Sequence, residues 1–203
     1  MSTMKLGEQR GRKTYRCSIV NGTFTGDLNT RMPNLGSLKL PFAVEYNPLK
    51  LNAAIVKRLN NESGTVLLFE SGRIVLVGVT TRSEAEELAG ALEKALFDMG
   101  VTCKLTNIAC KNIVVTTKVN PTFVQYLWFI LDNGPLDKLT ENCSIANIKY
   151  EFQPHLFPAK KFYLKEPKAC VSVFRTGVTI ITGIVEFSIV DTIIGIIEHL
   201  LDR

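Results

Sequence analysis

Five cysteines, Cys17, Cys103, Cys110, Cys143 and Cys170, are scattered through the chain with no CxxC spacing, and histidine occurs only at His155 and His199. An odd number of unclustered thiols argues against a disulfide framework or a zinc site, and leaves reduced cysteines packed among apolar residues. No GxGxxG, GxxxxGK(S/T), HExxH or GxSxG run is present. Dinucleotide, nucleotide and zinc-hydrolase chemistry therefore have no starting motif, and nothing nominates a carboxylate enzyme either. The expectation is a protein with no catalytic role, no metal and no cofactor. The apolar stretch from Val178 is broken by Glu186, Asp191 and Glu198, well short of the ~20 clean residues of a membrane span. The first residues, MSTMKLGEQRGRK, are basic without an apolar segment. They do not read as a secretory signal, which points to the cytosol or nucleus.

What is present is globular. Hydrophobic residues make up 46% of the 203 and charged residues 21%, enough for one large core or two half-sized ones. Lys plus Arg number 24 against 19 Asp plus Glu, a net +5, which suits a polyanionic partner without demanding one. Residues 1–13 hold Lys5, Arg10, Arg12 and Lys13 with little to bury, and read as a flexible basic tail. From Tyr15 the alternation in CSIVNGTFTG predicts a strand. NLGSLKL, between Pro33 and Pro41, predicts a brief helix. AAIVKRL, TVLLF and RIVLVG predict three strands joined by the glycine turns NNESG and ESG.

TRSEAEELAGALEKALFDMG is the clearest helix. Its apolar residues at 85, 88, 89, 91, 92, 95, 96 and 99 form one stripe. Ser83 with Glu86 reads as a capping box, and Gly100 as the stop. The order then restarts with VTCKLTNIACKNIVVTTKVN as strand and TFVQYLWFIL as apolar helix. FYLKE, ACVSVF and VTIITG follow as strands, and an amphipathic helix runs from Ser188 to Leu201.

The restart is a repeat. In TVLLFESGRIVLVG and CVSVFRTGVTIITG, the pairs Phe69/Phe174, Gly72/Gly177 and Gly78/Gly183 are each 105 residues apart. Upstream, Pro48 of EYNPLKL and Pro154 of FQPHLF are 106 apart, so the first hairpin turn is one residue longer. A short F-x-(S/T)-G match alone would be an ordinary hairpin turn. Strands, prolines and helices that keep the same offset are a duplicated unit. Two units, 14–100 and 101–203, are expected.

These residues resemble a family. EYNPLKLNAAIVKRL…TVLLFESGRIVLVG looks like the first repeat of the TATA-box-binding protein core, and FQPHLFPAKKFYLKEPKACVSVFRTGVTIITG like the second. The resemblance covers nearly everything from Tyr15 to Arg203. It implies an α+β, pseudo-twofold saddle: a ten-stranded antiparallel sheet with two helices per repeat on the convex face. It further implies minor-groove binding of A/T-rich double-stranded DNA by the concave face. The implied function is that of a general transcription initiation factor that bends promoter DNA. Partners would be IIB-like and IIA-like initiation factors and the RNA polymerase machinery, with no membrane association. The implied location is the nucleus, or the host nucleus or viral factory if the gene is viral.

The resemblance carries over residue by residue. Phe157, with Pro158 after it, and Phe174 match the second pair of wedging phenylalanines. Phe69 matches one of the first pair, with Leu51 at the other position. Such wedges unstack base steps and offset that cost with contact area, although phenylalanine and leucine elsewhere usually fill cores. Asn112 matches a central asparagine able to donate to a base acceptor, with Val114 against the groove floor. Its first-repeat partner is most simply Asn21, with Thr23, and Ser18 is the alternative. Strand alternation adds Leu67, Val75 and Val77, then Ser172, Ile180 and Thr182, to the concave side. Arg73 and Lys57 match rim cations for phosphate contacts. Their second-repeat counterparts, Val178 and Tyr163, are uncharged, which predicts lopsided phosphate contacts. Other departures mark a divergent member. The first helix is acidic (Glu84, Glu86, Glu87, Glu93), Gln153 and His155 stand where acidic residues are usual, and DNGPLDKLTENCSIANIK looks like extra length. The rival expectation is an interaction scaffold of the same fold with weak DNA binding.

Overall fold

The alternation of residue types along strands such as RIVLVGV becomes an alternation of burial. The structure, a computed structural model, describes residues 3–4, 16–32, 34–58, 63–133 and 148–199. Residues 134–147 of the extra length, Cys143 among them, lie outside the described residues, as do most of the basic tail and Leu201. The elements run β1 (Thr3–Met4), β2 (Cys17–Asp27), a 3-10 turn (Leu35–Ser37), β3 (Ala43–Asn47), β4 (Leu51–Lys57), β5 (Thr65–Leu68), β6 (Arg73–Val79) and α1 (Arg82–Asp98). They continue with β7 (Thr106–Lys118), α2 (Pro121–Asn133), β8 (Ile148–Glu151), β9 (Ala159–Lys165), β10 (Lys168–Phe174), β11 (Val178–Ile184), a second 3-10 turn (Phe187–Ile189) and α3 (Val190–His199). The ten expected strands are β2 to β11. Of the basic tail, Thr3–Met4 pairs with Cys17–Ser18 of β2.

Two compact units emerge, residues 21–112 and residues 1–20 with 113–203. In the 21–112 unit the antiparallel order is β3-β4-β5-β6-β2, and in the other β7-β11-β10-β9-β8.

In the 21–112 unit one sheet face packs on α1. Phe24, Val56, Val66, Leu68, Ile74 and Leu76 meet Leu88, Leu92 and Leu96 of the helix stripe, all buried. Burying side chains of this size stabilises by roughly 1.5–3 kcal/mol each. Two local expectations are corrected. The repeat was expected to carry two helices, but NLGSLKL forms a single 3-10 turn, capped by Asn34 Oδ1 accepting from Gly36 N–H at 2.9 Å. Between two prolines only a few residues can take helical angles. The cap of α1 is also not Ser83 with Glu86. Thr81 Oγ1 accepts from Glu84 N–H at 3.1 Å, and Glu84 Oε2 reaches back to accept from Thr80 N–H at 2.7 Å. Ser83 donates instead to Glu87, and Glu86 pairs with Arg82.

The bond from the Thr80 backbone N–H holds the Glu84 carboxyl below its ordinary value, against a smaller upward push from burial. A lowered folded-state value means this stabilisation is complete above the unfolded carboxylate range and is lost as pH falls through the folded value. Glu84→Ala should therefore cost about 0.5–2 kcal/mol at neutral pH. In denaturant titrations the gap from the parent should narrow steadily in acid; a gap that does not change with pH would exclude the cap.

In the other unit a small cavity bounded by Val119, Phe123, Val171, Val173, Ile194 and Ile197 sets α2 and α3 against one face of β10 and β11. The two Gly-turn hairpins agree residue for residue. Leu67 pairs with Val75 as Ser172 does with Ile180, and Thr65 with Val77 as Cys170 does with Thr182. Gly72 (φ 84°) donates to Phe69 O and Gly177 (φ 85°) to Phe174 O, both at 2.9 Å. Leu28 N–H reaches Gly72 O, and Val119 N–H reaches Gly177 O, both at 3.0 Å. That fixes an offset of 91 residues for the strands that open each repeat, and the same offset relates Asn21 to Asn112 and Thr23 to Val114.

Candidate nucleic-acid interface

Directly opposed residues on neighbouring strands point to the same face, so the register builds the surface away from the helices. In the 21–112 unit one row runs Thr25, Val75, Leu67, Ile55, Glu45, and the next Thr23, Val77, Thr65, Lys57, Ala43. In the other unit one row runs Thr116, Ile180, Ser172, Lys161, Glu151, and the next Thr182, Cys170, Tyr163, Lys149. The residues between them along the strands, such as Val66, Leu76, Val171 and Ile181, are buried under helices. Val75, Val77, Leu67, Ile180, Thr182 and Thr23 are only half-buried. In each unit this face is apolar with threonines on the inner strands and carries its charges, Glu45, Lys57, Lys149, Glu151 and Lys161, on the outer two, while Ser172 in its middle is buried. An apolar surface left open on a folded unit marks an interaction site.

Asn21 gains its orientation from a bulge. β2 pairs Gly22 with Val79 and then Thr23 with Val77, leaving Gly78 unopposed. A bulge residue at φ 79° favours glycine, and its N–H has no ladder partner. Asn21 Oδ1 accepts it at 2.9 Å. With the oxygen so engaged, the amide Nδ2 is the atom free to donate elsewhere. The pairing of β11 shifts at the same place, next to Gly183 at φ 81°. Asn112 and Val114 are half-buried on β7.

The wedge candidates sit at strand ends. Phe157, which follows a turn closed by its own N–H on Gln153 O, lies edge-on to Phe174 with ring centroids 5.5 Å apart. Neither ring belongs to the buried core, and Pro158 is exposed. Leu51 is 37% exposed at the head of β4, and Phe69 is half-buried after β5. Leu49, at the tip of the β3–β4 turn, is 97% exposed.

Of the cations, Arg73 is exposed. Lys57 forms an ion pair with Glu45 at 3.0 Å across β3 and β4, a partner that sequence alone did not reveal. Both ends are solvent-accessible, so the pair is weak and exchangeable.

Sequence reasoning also passed over the charge inside the unit of residues 113–203. Lys160, fully buried on the helix side of β9, is paired with Asp132 of α2. Its ammonium lies 4.7 Å from the Trp128 ring centroid and 4.6 Å from that of Phe152. Burial, reinforced by the Asp132 charge, pushes the neighbouring Tyr150 hydroxyl up to about 12. The signal was the doublet Lys160–Lys161 in an alternating strand, which sends one lysine to each face. Among the described residues no three of His, Cys, Asp and Glu cluster as metal ligands, and no helix is long and apolar enough to cross a membrane.

Comparison with known proteins agrees with this geometry. The family model described as transcription factor TFIID, or TATA-binding protein, matches residues 16–99. TATA-box-binding protein 2 of Entamoeba histolytica is 27% identical over 165 residues, covering 81% of this chain and 71% of that protein. TATA-box-binding protein 2 of Methanosarcina mazei is 28% identical over 140 residues, 68% of this chain and 69% of its own. Among solved structures, the Methanococcus jannaschii TBP superposes with a TM-score of 0.66 at 21% identity, covering 91% of this chain and 97% of that one. The fold is shared with that protein.

Proposed function

We propose that the chain is a divergent member of the TATA-binding protein family, the reading its relatives and fold support, and a transcription initiation factor whose helix-free sheet faces bind and bend A·T-rich DNA. The observation that carries this reading is the rows of half-buried valine, leucine, isoleucine and threonine bordered by an oriented amide and an aromatic pair. At A·T pairs the minor groove presents only acceptors and a smooth floor. Flat apolar rows fit the floor, and the Asn21 Nδ2 supplies a donor. Phe157 and Phe174 in one unit, and Leu51 and Phe69 in the other, enter base steps and kink the duplex. Phosphate contacts from Arg73 and Lys57 set orientation without reading sequence. The helix-bearing faces are then left for IIB-like and IIA-like factors and polymerase, and the working location is the nucleus.

The scaffold reading keeps one specific observation in its favour, the Glu45 carboxylate that shares the Lys57 charge. A mobility shift on A·T-rich duplex across a salt series, with G·C-rich duplex as competitor, separates the two. The DNA reading expects a complex that survives the competitor and weakens with salt. Absence of any complex at low salt would leave the scaffold. Within the DNA reading, Arg73→Ala should weaken binding to all sequences alike and reduce the salt slope by about 0.9, one phosphate's worth. An unchanged slope would place Arg73 away from the backbone.

A further inference from the structure

We propose that the unit holding β8 to β11 grips the duplex backbone with Lys149 and Lys161, two phosphate-contacting lysines that stand in for the cations missing at Tyr163 and Val178. This inference rests on the DNA-binding reading and concerns which residues of the second repeat carry its charge.

The β3–β4 and β8–β9 pairs correspond at an offset of 106 residues. Glu45 opposes Ile55 as Glu151 opposes Lys161, and Ala43 opposes Lys57 as Lys149 opposes Tyr163. Where the first repeat has alanine, isoleucine and lysine at positions 43, 55 and 57, the second has lysine, lysine and tyrosine at 149, 161 and 163. The single cation in the rows of the first repeat has moved one strand outward, and a second has replaced an apolar residue.

Both lysines are carried by aromatic rings on the open face. The Lys161 ammonium lies 4.4 Å from the centroid of Phe157, itself edge-on to Phe174. The Lys149 ammonium lies 5.8 Å from the Tyr163 ring. Contacts of this kind position a cation without neutralising it, since the ring carries no net charge. Among the described residues neither lysine has a carboxylate in ion-pair contact. By contrast Lys57 shares its charge with Glu45, and Lys160, on the opposite face, is committed to Asp132. Glu151, opposite Lys161 in the register, is the one carboxylate within these rows of the second repeat. Seated over the wedge ring, Lys161 is placed to meet the phosphates flanking the base step that Phe157 enters. The open face of the second repeat therefore carries more unpaired positive charge than the counterparts of Lys57 and Arg73 imply, and phosphate contacts are shared between the repeats.

The test is the salt dependence of equilibrium binding to an A·T-rich duplex, measured for the full chain and for Lys149→Met, Lys161→Met and the double variant. Methionine keeps the aliphatic contact with each ring and removes the charge. Each single change should lower the slope of log affinity against log salt by about 0.9, and the double change by about 1.8. Lys149→Arg and Lys161→Arg should retain the parent slope. Glu151→Gln, which removes a negative charge facing the backbone, should bind more tightly at low salt. A parent that binds while the double methionine variant keeps its slope overturns this inference alone. A parent that binds no duplex at any salt overturns the DNA-binding reading, and this inference with it.

Discussion

Replacing both Phe157 and Phe174 with alanine should abolish duplex bending while leaving the chain folded. The two rings pack edge-on to one another at 5.5 Å and lie outside the buried core. Truncation therefore removes an aromatic pair worth about 0.5–1.5 kcal/mol beyond its area, with no enclosed cavity to raise the cost. Truncating a core phenylalanine costs roughly 3–5 kcal/mol, and two would unfold a domain of ordinary stability. Energy transfer between dyes at the duplex ends reads bending, and thermal melting reads the fold. The account expects end-to-end transfer to fall to that of free duplex, with only a modest drop in melting temperature. A variant that unfolds would assign both rings to the core, and a folded variant that bends like the parent would remove the wedge. Leu51 supplies a contrast in the other unit. Leu51→Phe adds a ring at an exposed position and should tighten the bent complex without altering the free protein.

The largest stability effect should come from a residue with no part in DNA contact. Asp132→Ala leaves Lys160 fully buried with its carboxylate partner gone. Breaking a buried pair from one side typically costs 3–5 kcal/mol, because the remaining charge has lost both water and counterion. The Trp128 and Phe152 rings soften that cost without removing it. Lys160→Met should be far milder. It fits the same apolar channel, and the Asp132 side chain, 39% exposed, can take water instead. Denaturant unfolding of the two variants checks the asymmetry. Equal losses would show that the pair matters through packing alone.

The strands were legible because period-two alternation sets burial along most of them, as in RIVLVGV, where Ile74, Leu76 and Val79 are buried and Val75 and Val77 are not. The repeat was legible because the glycines at 72, 78, 177 and 183 each occupy a positive φ, a backbone demand that fixes the residue type. The start of α1 was misplaced for a physical reason. Thr80, Thr81 and Ser83 precede or open a run with glutamates at 84, 86 and 87, and several capping boxes fit such a sequence. Only the chain path, which puts Arg82 first in the helix, selects Thr81 with Glu84. Lys57 with Glu45, and Lys149 with Tyr163, depend on register between strands, which no local pattern states. Asn21 was nominated by its place in the strand. Its orientation came from the Gly78 bulge, a contact between residues 57 positions apart.

The central claim, minor-groove recognition of A·T-rich DNA, is tested most directly by base pairs that separate the two grooves. An inosine·cytosine pair presents the major-groove pattern of G·C but lacks the minor-groove amino group, so its minor groove matches A·T. Equilibrium affinity of the full chain should be measured for one duplex length carrying A·T, inosine·cytosine or G·C pairs at the same positions. The account predicts nearly equal binding to the first two and much weaker binding to the third. Inosine·cytosine duplex that behaves as G·C, or equal affinity for all three, would contradict it.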